Sequence, residues 1–152
     1  FVGAMPEEIR AAGISVLSSK VDIANVRLAF ASGCIANLTA SRISAEQVRK
    51  LRLFQPGEYI SLDYHRQDAV RFAIRKNEPK IGFEPLPVSP AEPLELELAA
   101  FFASVRDRTP PRVDAFQAAK ALQVAESILA KIKEHADLVS ETIRSQGNFP
   151  SR

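Results

Sequence analysis

The stretch NVRLAFASGCIANLTASR, residues 25–42, decides the fold because it has the pattern of a β-hairpin. Apolar side chains alternate along both of its halves, at Val26, Leu28 and Phe30 and then at Ala36, Leu38 and Ala40. A period of two is typical of a strand with one buried face. Gly33 lies in the connection, where a short hairpin loop needs a residue that accepts a positive φ. The second strand then carries Asn37, Thr39 and Ser41 in a row on its polar face.

The same period of two continues through the first half of the chain. Further strands are predicted over residues 8–17, 49–55, 59–64 and 69–75. Gly13 interrupts the first of these patterns and predicts a β-bulge. Residues 81–88 include Pro85 and Pro87, which cannot donate ladder hydrogen bonds, so this segment predicts at most an edge strand.

The second half of the chain has the period of helices. One apolar face is formed by Leu94, Leu98, Phe101, Phe102 and Val105. Asp114, with Gln117 three residues later, predicts the start of a last helix, and Gly147 followed by Pro150 predicts its end. Because strands and helices are segregated, the sequence predicts one α+β domain over residues 1–152. Its mainly antiparallel open sheet has about six strands, and its two C-terminal helices pack on one face.

The last helix carries an apolar stripe that allows two interpretations. Its residues recur at alternating steps of three and four: Ala115, Ala118, Leu122, Ala125, Leu129, Ile132, Ala136, Val139 and Ile143. This spacing is that of a coiled coil, but it also suits a helix that lies on a sheet. Four of the nine residues are alanines, whose short side chains fill the holes of a facing helix poorly, so packing on the sheet is favoured over a coiled coil.

The composition is that of an ordinary globular domain. Hydrophobic residues make up 46% of the 152 residues, charged residues 25%, and the net charge is +2. No apolar run has the length of a membrane span, and no signal peptide pattern opens the chain. A single cysteine, Cys34, suits a reducing compartment, so we expect a cytoplasmic protein. The chain starts at Phe1 without an initiator Met, and we expect it to be part of a longer protein.

Complete catalytic or metal-binding patterns are absent from the sequence. It contains no G-x-G-x-x-G, no phosphate-binding P-loop and no nucleophile elbow. Cys34 has no histidine nearby in sequence, and one cysteine with two histidines does not make a zinc site. Residues 42–80 are rich in Lys and Arg, but a solvated strand face explains them better than a nucleic-acid surface. We therefore predict no catalytic residue, no metal, no nucleic-acid partner and no membrane partner.

The polar row at the end of the hairpin is the candidate site. Asn37, Thr39 and Ser41 share one face, and Arg42 follows them directly. This face meets water, a partner subunit or a small molecule. The Arg42 guanidinium has the donors to hold a phosphate or a carboxylate, or it forms a salt bridge or an interface hydrogen bond. These four residues are candidates for substrate binding or for an interface.

Three segments in order carry a resemblance to a known family. They are DIANVRLAFASGCIANLTASRIS (22–44), RKLRLFQPGEYISLDYHRQ (49–67) and EPLELELAAFFASVRDRTPPRVDAFQAAKALQVAESI (92–128). Together they resemble the C-terminal domain of the Gfo/Idh/MocA oxidoreductases. The strand region most resembles members that act on nucleotide-activated amino sugars, including one associated with the diamino-sugar precursor of lipid A.

The resemblance implies a two-domain enzyme. An N-terminal Rossmann domain binds NAD or NADP, and a C-terminal domain with a large antiparallel sheet completes the substrate site and mediates oligomerisation. Members move a hydride to or from the carbon of a sugar or polyol. The resemblance thus implies a homodimer or homotetramer formed through the sheet face, with Asn37, Thr39 and Ser41 at a subunit interface and Arg42 near the substrate cleft.

The family's reactive motifs are missing from this chain. Its glycine fingerprint and its Asp and His motif are absent, and its Lys-Pro pair is replaced by the reverse order, Pro79-Lys80, in a different place. No catalytic residue is therefore carried over, and the chain alone is expected to bind no NAD or NADP and to be inactive. The alternatives are a free-standing α+β dimerisation or binding module, and a nucleic-acid-binding sheet.

Overall fold

The computed structural model describes residues 2–74 and 81–145, and within them it has an α+β fold. Its elements in chain order are β1 (Glu8–Ile14), β2 (Ile23–Ala29), β3 (Ile35–Ser41), β4 (Lys50–Gln55), β5 (Glu58–Asp63), β6 (Asp68–Ile74), β7 (Ile81–Pro85), α1 (Pro93–Asp107) and α2 (Ala115–Ser145). All strand pairs are antiparallel, so the predicted fold class is confirmed. None of the described helices is both long and apolar enough to cross a membrane. Pro79, Lys80, Gly147 and Pro150, on which sequence predictions rested, lie outside the described residues.

The strands form two sheets rather than one. One sheet has the order β1-β2-β3 and the other the order β4-β5-β6-β7. The chain divides accordingly into two compact units, residues 1–44 with 112–152 and residues 45–111. Alternation along a strand shows which side chains share a face, but not which neighbouring strand pairs with it, so the sequence did not reveal this division. That both units belong to one domain over residues 1–152 stays a prediction.

The first unit has its core between the three-stranded sheet and α2. Val26 and Leu28 of β2 are 8% and 6% exposed, and Ile132 of α2 is 4% exposed. The opening hairpin is confirmed, and Gly33 in its loop has a φ of 80°. Val26 pairs with Leu38 across the hairpin, so these two side chains share the face of the sheet that α2 covers.

Gly13 does not form the predicted bulge. The register from β1 to β2 runs without an extra residue through Gly13 opposite Ala24. A Cβ atom at Gly13 would lie 2.8 Å from a methyl group of Ile132 and 2.8 Å from one of Val21. Glycine is required here because the helix side chain packs directly on the backbone of β1, a long-range contact that the sequence pattern does not show.

The packed face of α2 differs from the predicted stripe. The least exposed positions along the helix include Val124, Ile128 and Ile132, and only Ile132 belongs to the stripe. Leu122 and Leu129 are 62% and 58% exposed. The helix has 31 residues, about 46 Å at 1.5 Å per residue, whereas the seven-residue β1 spans about 23 Å. A sheet of this size cannot cover a helix of this length.

The second unit contains the four-stranded sheet and α1. The predicted edge strand is confirmed as β7, and Pro93 is the first residue of α1. Within the part of the chain that the structure describes, α1 has no buried residue. One register row crosses the whole sheet and consists of aromatic residues, which we call the aromatic row: Phe54, Tyr59, Phe72 and Phe83.

Candidate functional site

The polar row of β3 lies on the face of the first sheet opposite the face that α2 covers. Asn37 is paired with Arg27 of β2, and Thr39 is paired with Asn25. The pair Val26 and Leu38 lies between these two pairs, and its side chains point to the side of α2. Asn37, Thr39 and Ser41 are all exposed. The structure therefore brings these three predicted residues together, and whether they contact a partner or a substrate stays a prediction.

Hydrogen bonds across the hairpin fix part of this row. The Thr39 hydroxyl donates to the Asn25 side-chain oxygen at 3.0 Å, and the Arg27 guanidinium donates to the Asn37 oxygen at 3.4 Å. Cross-strand polar pairs of this kind stabilise a sheet modestly and order the side chains that take part. Two of the three side chains in the row, Asn37 and Thr39, therefore form hydrogen bonds with β2.

Arg42 is separated from the polar row. It lies opposite Asp22, and its backbone N–H donates to the Asp22 carbonyl at 3.1 Å. Its Nε donates to the Asp22 carboxylate at 2.5 Å, and its Nη2 donates to the Ser18 hydroxyl. The strand alternation that aligns Ser41 with the row points the next residue to the other side. The geometry is that of the salt-bridge alternative, although half of the Arg42 side chain remains exposed.

The Asp22 carboxylate is the centre of this cluster. One of its oxygens accepts the backbone N–H groups of Val16, Leu17 and Ser18 at 2.7, 2.8 and 3.2 Å. These hydrogen bonds, with Leu17 the largest cause, and the bond from Arg42 hold the pKa of Asp22 far below its ordinary value of 3.8, against the opposing effect of burial. The carboxylate is therefore ionised, and it ties the turn after β1 to the end of β3.

Sequence reasoning gave Asp22 no role. Its donors Val16, Leu17 and Ser18 precede it by six, five and four residues, a separation that no short turn motif in the sequence indicates. The same bonds explain why β1 ends at Ile14 and not at the predicted Leu17. The N–H groups of Val16 and Leu17 are directed to the carboxylate instead of to a neighbouring strand.

A hollow of about 440 Å³ lies in the first unit. The register row Ala11, Val26 and Leu38 crosses it, and His135 of α2 contributes to its wall. No carboxylate and no thiol is among the described residues that line it. Asn37 and Thr39 also line the hollow, so it combines one imidazole with amide and hydroxyl groups and has no carboxylate or thiol to pair with the imidazole.

The described residues do not fit a metal or a dinucleotide. Within residues 2–74 and 81–145, no group of three His, Cys, Asp or Glu side chains is placed to hold a metal ion. The described strands pair only antiparallel, so none of them builds the parallel βαβ unit that binds a dinucleotide pyrophosphate.

The chain is similar in sequence and in structure to a nucleotide-sugar dehydrogenase. Over 62 residues the chain is 37% identical to the UDP-N-acetylglucosamine 3-dehydrogenase of Acidithiobacillus ferrooxidans, and the match covers 41% of this chain and 20% of that enzyme. Two solved structures of that enzyme superpose with TM-scores of 0.79 and 0.73 at 23% and 27% identity. The superpositions cover 87% and 86% of this chain and 42% and 43% of the chain of that enzyme. The chain thus spans less than half the length of this relative.

Two further solved structures share the fold. The aldose-aldose oxidoreductase from Caulobacter crescentus, complexed with glycerol, has a TM-score of 0.68 at 23% identity and matches 88% of this chain and 41% of its own. Levoglucosan dehydrogenase, in complex with NADH, has a TM-score of 0.67 at 14% identity and matches 83% of this chain and 42% of its own. No protein-family model matches the chain. Identities this low establish the fold alone.

The chain is thus similar in sequence to part of a nucleotide-sugar dehydrogenase, and it shares its fold with part of the sugar oxidoreductases. The predicted resemblance to the Gfo/Idh/MocA oxidoreductases is confirmed, and the match extends over about 40% of those proteins.

Proposed function

We propose that this chain is the C-terminal substrate and oligomerisation domain of an NAD(P)-dependent oxidoreductase that acts on a UDP-linked amino sugar. The observation that supports this most strongly is the agreement of two matches on one enzyme. The 37% identity over 62 residues and the superposition over 87% of the chain both lead to a UDP-N-acetylglucosamine 3-dehydrogenase.

The residues of this chain determine which functions we assign to it and which to the rest of the proposed enzyme. Hydride transfer and NAD(P) binding belong to another part of the protein, since the described residues fit neither. This chain supplies the wall of the sugar site and the contacts between subunits. Asn37, Thr39 and Ser41 are the candidates for the interface, because they form an exposed polar face that is partly hydrogen-bonded across the hairpin. Arg42 is the candidate near the substrate, with guanidinium donors left over after its bonds to Asp22 and Ser18.

The location that we propose is the cytoplasm. Cys34, the single cysteine of the sequence, is free and exposed in the hairpin loop. An exposed thiol persists most easily where glutathione keeps thiols reduced.

The function is tested on the natural protein that contains this chain. Incubated with UDP-N-acetylglucosamine and either NAD⁺ or NADP⁺, it should form the reduced nicotinamide, which is followed by its absorbance. Free N-acetylglucosamine is the matched control and should react far more slowly, because it lacks the UDP group. Equal rates with both sugars would contradict the nucleotide-sugar assignment. No reduction with any sugar or polyol would favour the free-standing binding module.

A further inference from the structure

The cluster of Arg42, Asp22 and Ser18 leaves one edge of the Arg42 guanidinium unused. A guanidinium carries five N–H donors in a planar fork, one on Nε and two on each terminal nitrogen. Nε donates to the Asp22 carboxylate at 2.5 Å and Nη2 donates to the Ser18 hydroxyl, so one side of the fork is occupied. Within the residues that the structure describes, Nη1 donates to no protein group. The end of the fork, where Nη1 and Nη2 each keep an N–H, is therefore available to a ligand.

This free edge is held in place by groups that are themselves fixed. The Asp22 side chain is only 1% exposed, and it accepts three backbone N–H groups from residues 16–18. The Ser18 hydroxyl donates to the Lys20 carbonyl at 3.2 Å. The Arg42 side chain, by contrast, is 50% exposed. A long side chain normally loses conformational entropy when it binds a ligand, and an arginine that is already held loses less.

The charge of the surrounding segment suits an anion. Asp22 is the sole carboxylate among residues 15–45, and Arg42 balances its charge. The same segment contains two further basic residues, Lys20 and Arg27, so three positive charges against one negative charge give it a net charge of +2. An anion at the free edge of Arg42 would therefore meet no second carboxylate from this segment.

We propose that the free edge of Arg42 binds the diphosphate of the nucleotide-sugar substrate, and that Asp22 and Ser18 are the residues that position it. This inference deepens the proposed function and rests on it for the identity of the substrate. The diphosphate carries the negative charge of a UDP-linked sugar, and the parallel N–H groups of a guanidinium match two phosphate oxygens. A dinucleotide also carries a diphosphate, and the affinity for NAD⁺ distinguishes the two sources.

The binding role of Arg42 is tested on the natural protein that contains this chain, by calorimetric titration with UDP and with uridine. Arg42→Gln should raise the dissociation constant for UDP roughly 10- to 100-fold, because hydrogen bonds to charged oxygens are lost. Uridine lacks the phosphates, so its dissociation constant should stay the same. Arg144→Gln is the matched control, because Arg144 is exposed in the last turn of α2. It should leave both constants unchanged.

The positioning role is tested at Ser18, where a mild substitution is possible. Ser18→Ala removes the acceptor of the Arg42 Nη2 and should raise the dissociation constant for UDP about 2- to 10-fold. Ser18→Thr keeps a hydroxyl group and should restore most of the affinity. A variant that only damages the fold would weaken UDP and uridine alike, so the ratio of the two dissociation constants is the quantity to compare.

The proposal would be overturned by a natural protein that binds UDP no more tightly than uridine, or by an unchanged ratio in Arg42→Gln. A loss of affinity for NAD⁺ in place of UDP would overturn it as well. Oxidation of UDP-N-acetylglucosamine is measured separately. If the protein oxidises this sugar and Arg42→Gln leaves the KM unchanged, the inference fails and the proposed function stands. Tight binding of UDP that depends on Arg42, without oxidation of any sugar, would support the diphosphate site and contradict the proposed function.

Discussion

Among the individual residues, Asp22 determines how the first sheet ends. Its carboxylate accepts three backbone N–H groups from the turn after β1 and pairs with Arg42 after β3. A carboxylate is the only common side chain that accepts so many donors and balances a guanidinium as well. We infer that this cluster sets the position of both Arg42 and the last residue of the polar row.

Asp22→Asn tests this role through the pH dependence of stability. The folded pKa of Asp22 lies below its ordinary value of 3.8, so its contribution to stability is present above that value and is lost as the pH falls toward the folded pKa. The variant should therefore be less stable than the unmodified chain at neutral pH, and the difference should shrink in acid. Urea unfolding at several pH values measures it. Asp137→Asn, at an exposed position of α2, is the control, and a pH-independent difference would contradict the account.

Gly13 gives the second prediction for a single residue. Gly13→Ala should destabilise the chain by about 1–3 kcal/mol, because its Cβ atom would meet methyl groups of Ile132 and Val21 at 2.8 Å. The free energy of unfolding in urea is the measurement. In an Ile132→Ala background the same substitution should cost less, since one of the two clashes is gone. An equal cost in both backgrounds would show that packing against the helix is not the reason for the glycine.

The individual elements were largely predictable from local patterns. The hairpin with Gly33, the edge strand with Pro85 and the start of α2 at Asp114 all follow from neighbouring residues. The Asp114 carboxylate accepts the Gln117 N–H at 2.8 Å, as a capping box requires. The predictions that were wrong depended on contacts between residues that are distant in the sequence. Whether Gly13 is a bulge or a close approach is decided by Ile132, more than one hundred residues away in the sequence.

The polar row of β3 gives a prediction for a whole face. The double variant Asn37→Lys with Thr39→Lys should separate the subunits at the interface that we propose, because like charges would oppose each other there. The mass of the assembly should fall accordingly. Gln123→Lys adds the same charge at an exposed position of α2 and should leave the mass unchanged. Sedimentation velocity measures both. An unchanged mass for the double variant would assign the row to solvent or substrate.

For the whole molecule, the class was predictable but the arrangement was not. The order of three segments indicated a Gfo/Idh/MocA-like domain, and the superposition on the dehydrogenase of Acidithiobacillus ferrooxidans confirms that resemblance. Two sheets in two units replace the single predicted sheet. The apolar residues that remain exposed, such as Phe101 and Phe102 of α1 and Leu129 of α2, are those whose partners a helical or strand pattern cannot name. Local periodicity identifies an apolar face but not the surface that covers it.

We propose that these residues form one domain of a larger dehydrogenase. The most direct test of this proposal is the intact mass of the natural protein that contains this chain, because relatives that match 87% of the chain are themselves covered to only 42%. We expect a single polypeptide of at least about twice the 16.7 kDa of these residues, with a glycine-rich βαβ unit preceding them. A natural protein of 16.7 kDa would contradict it.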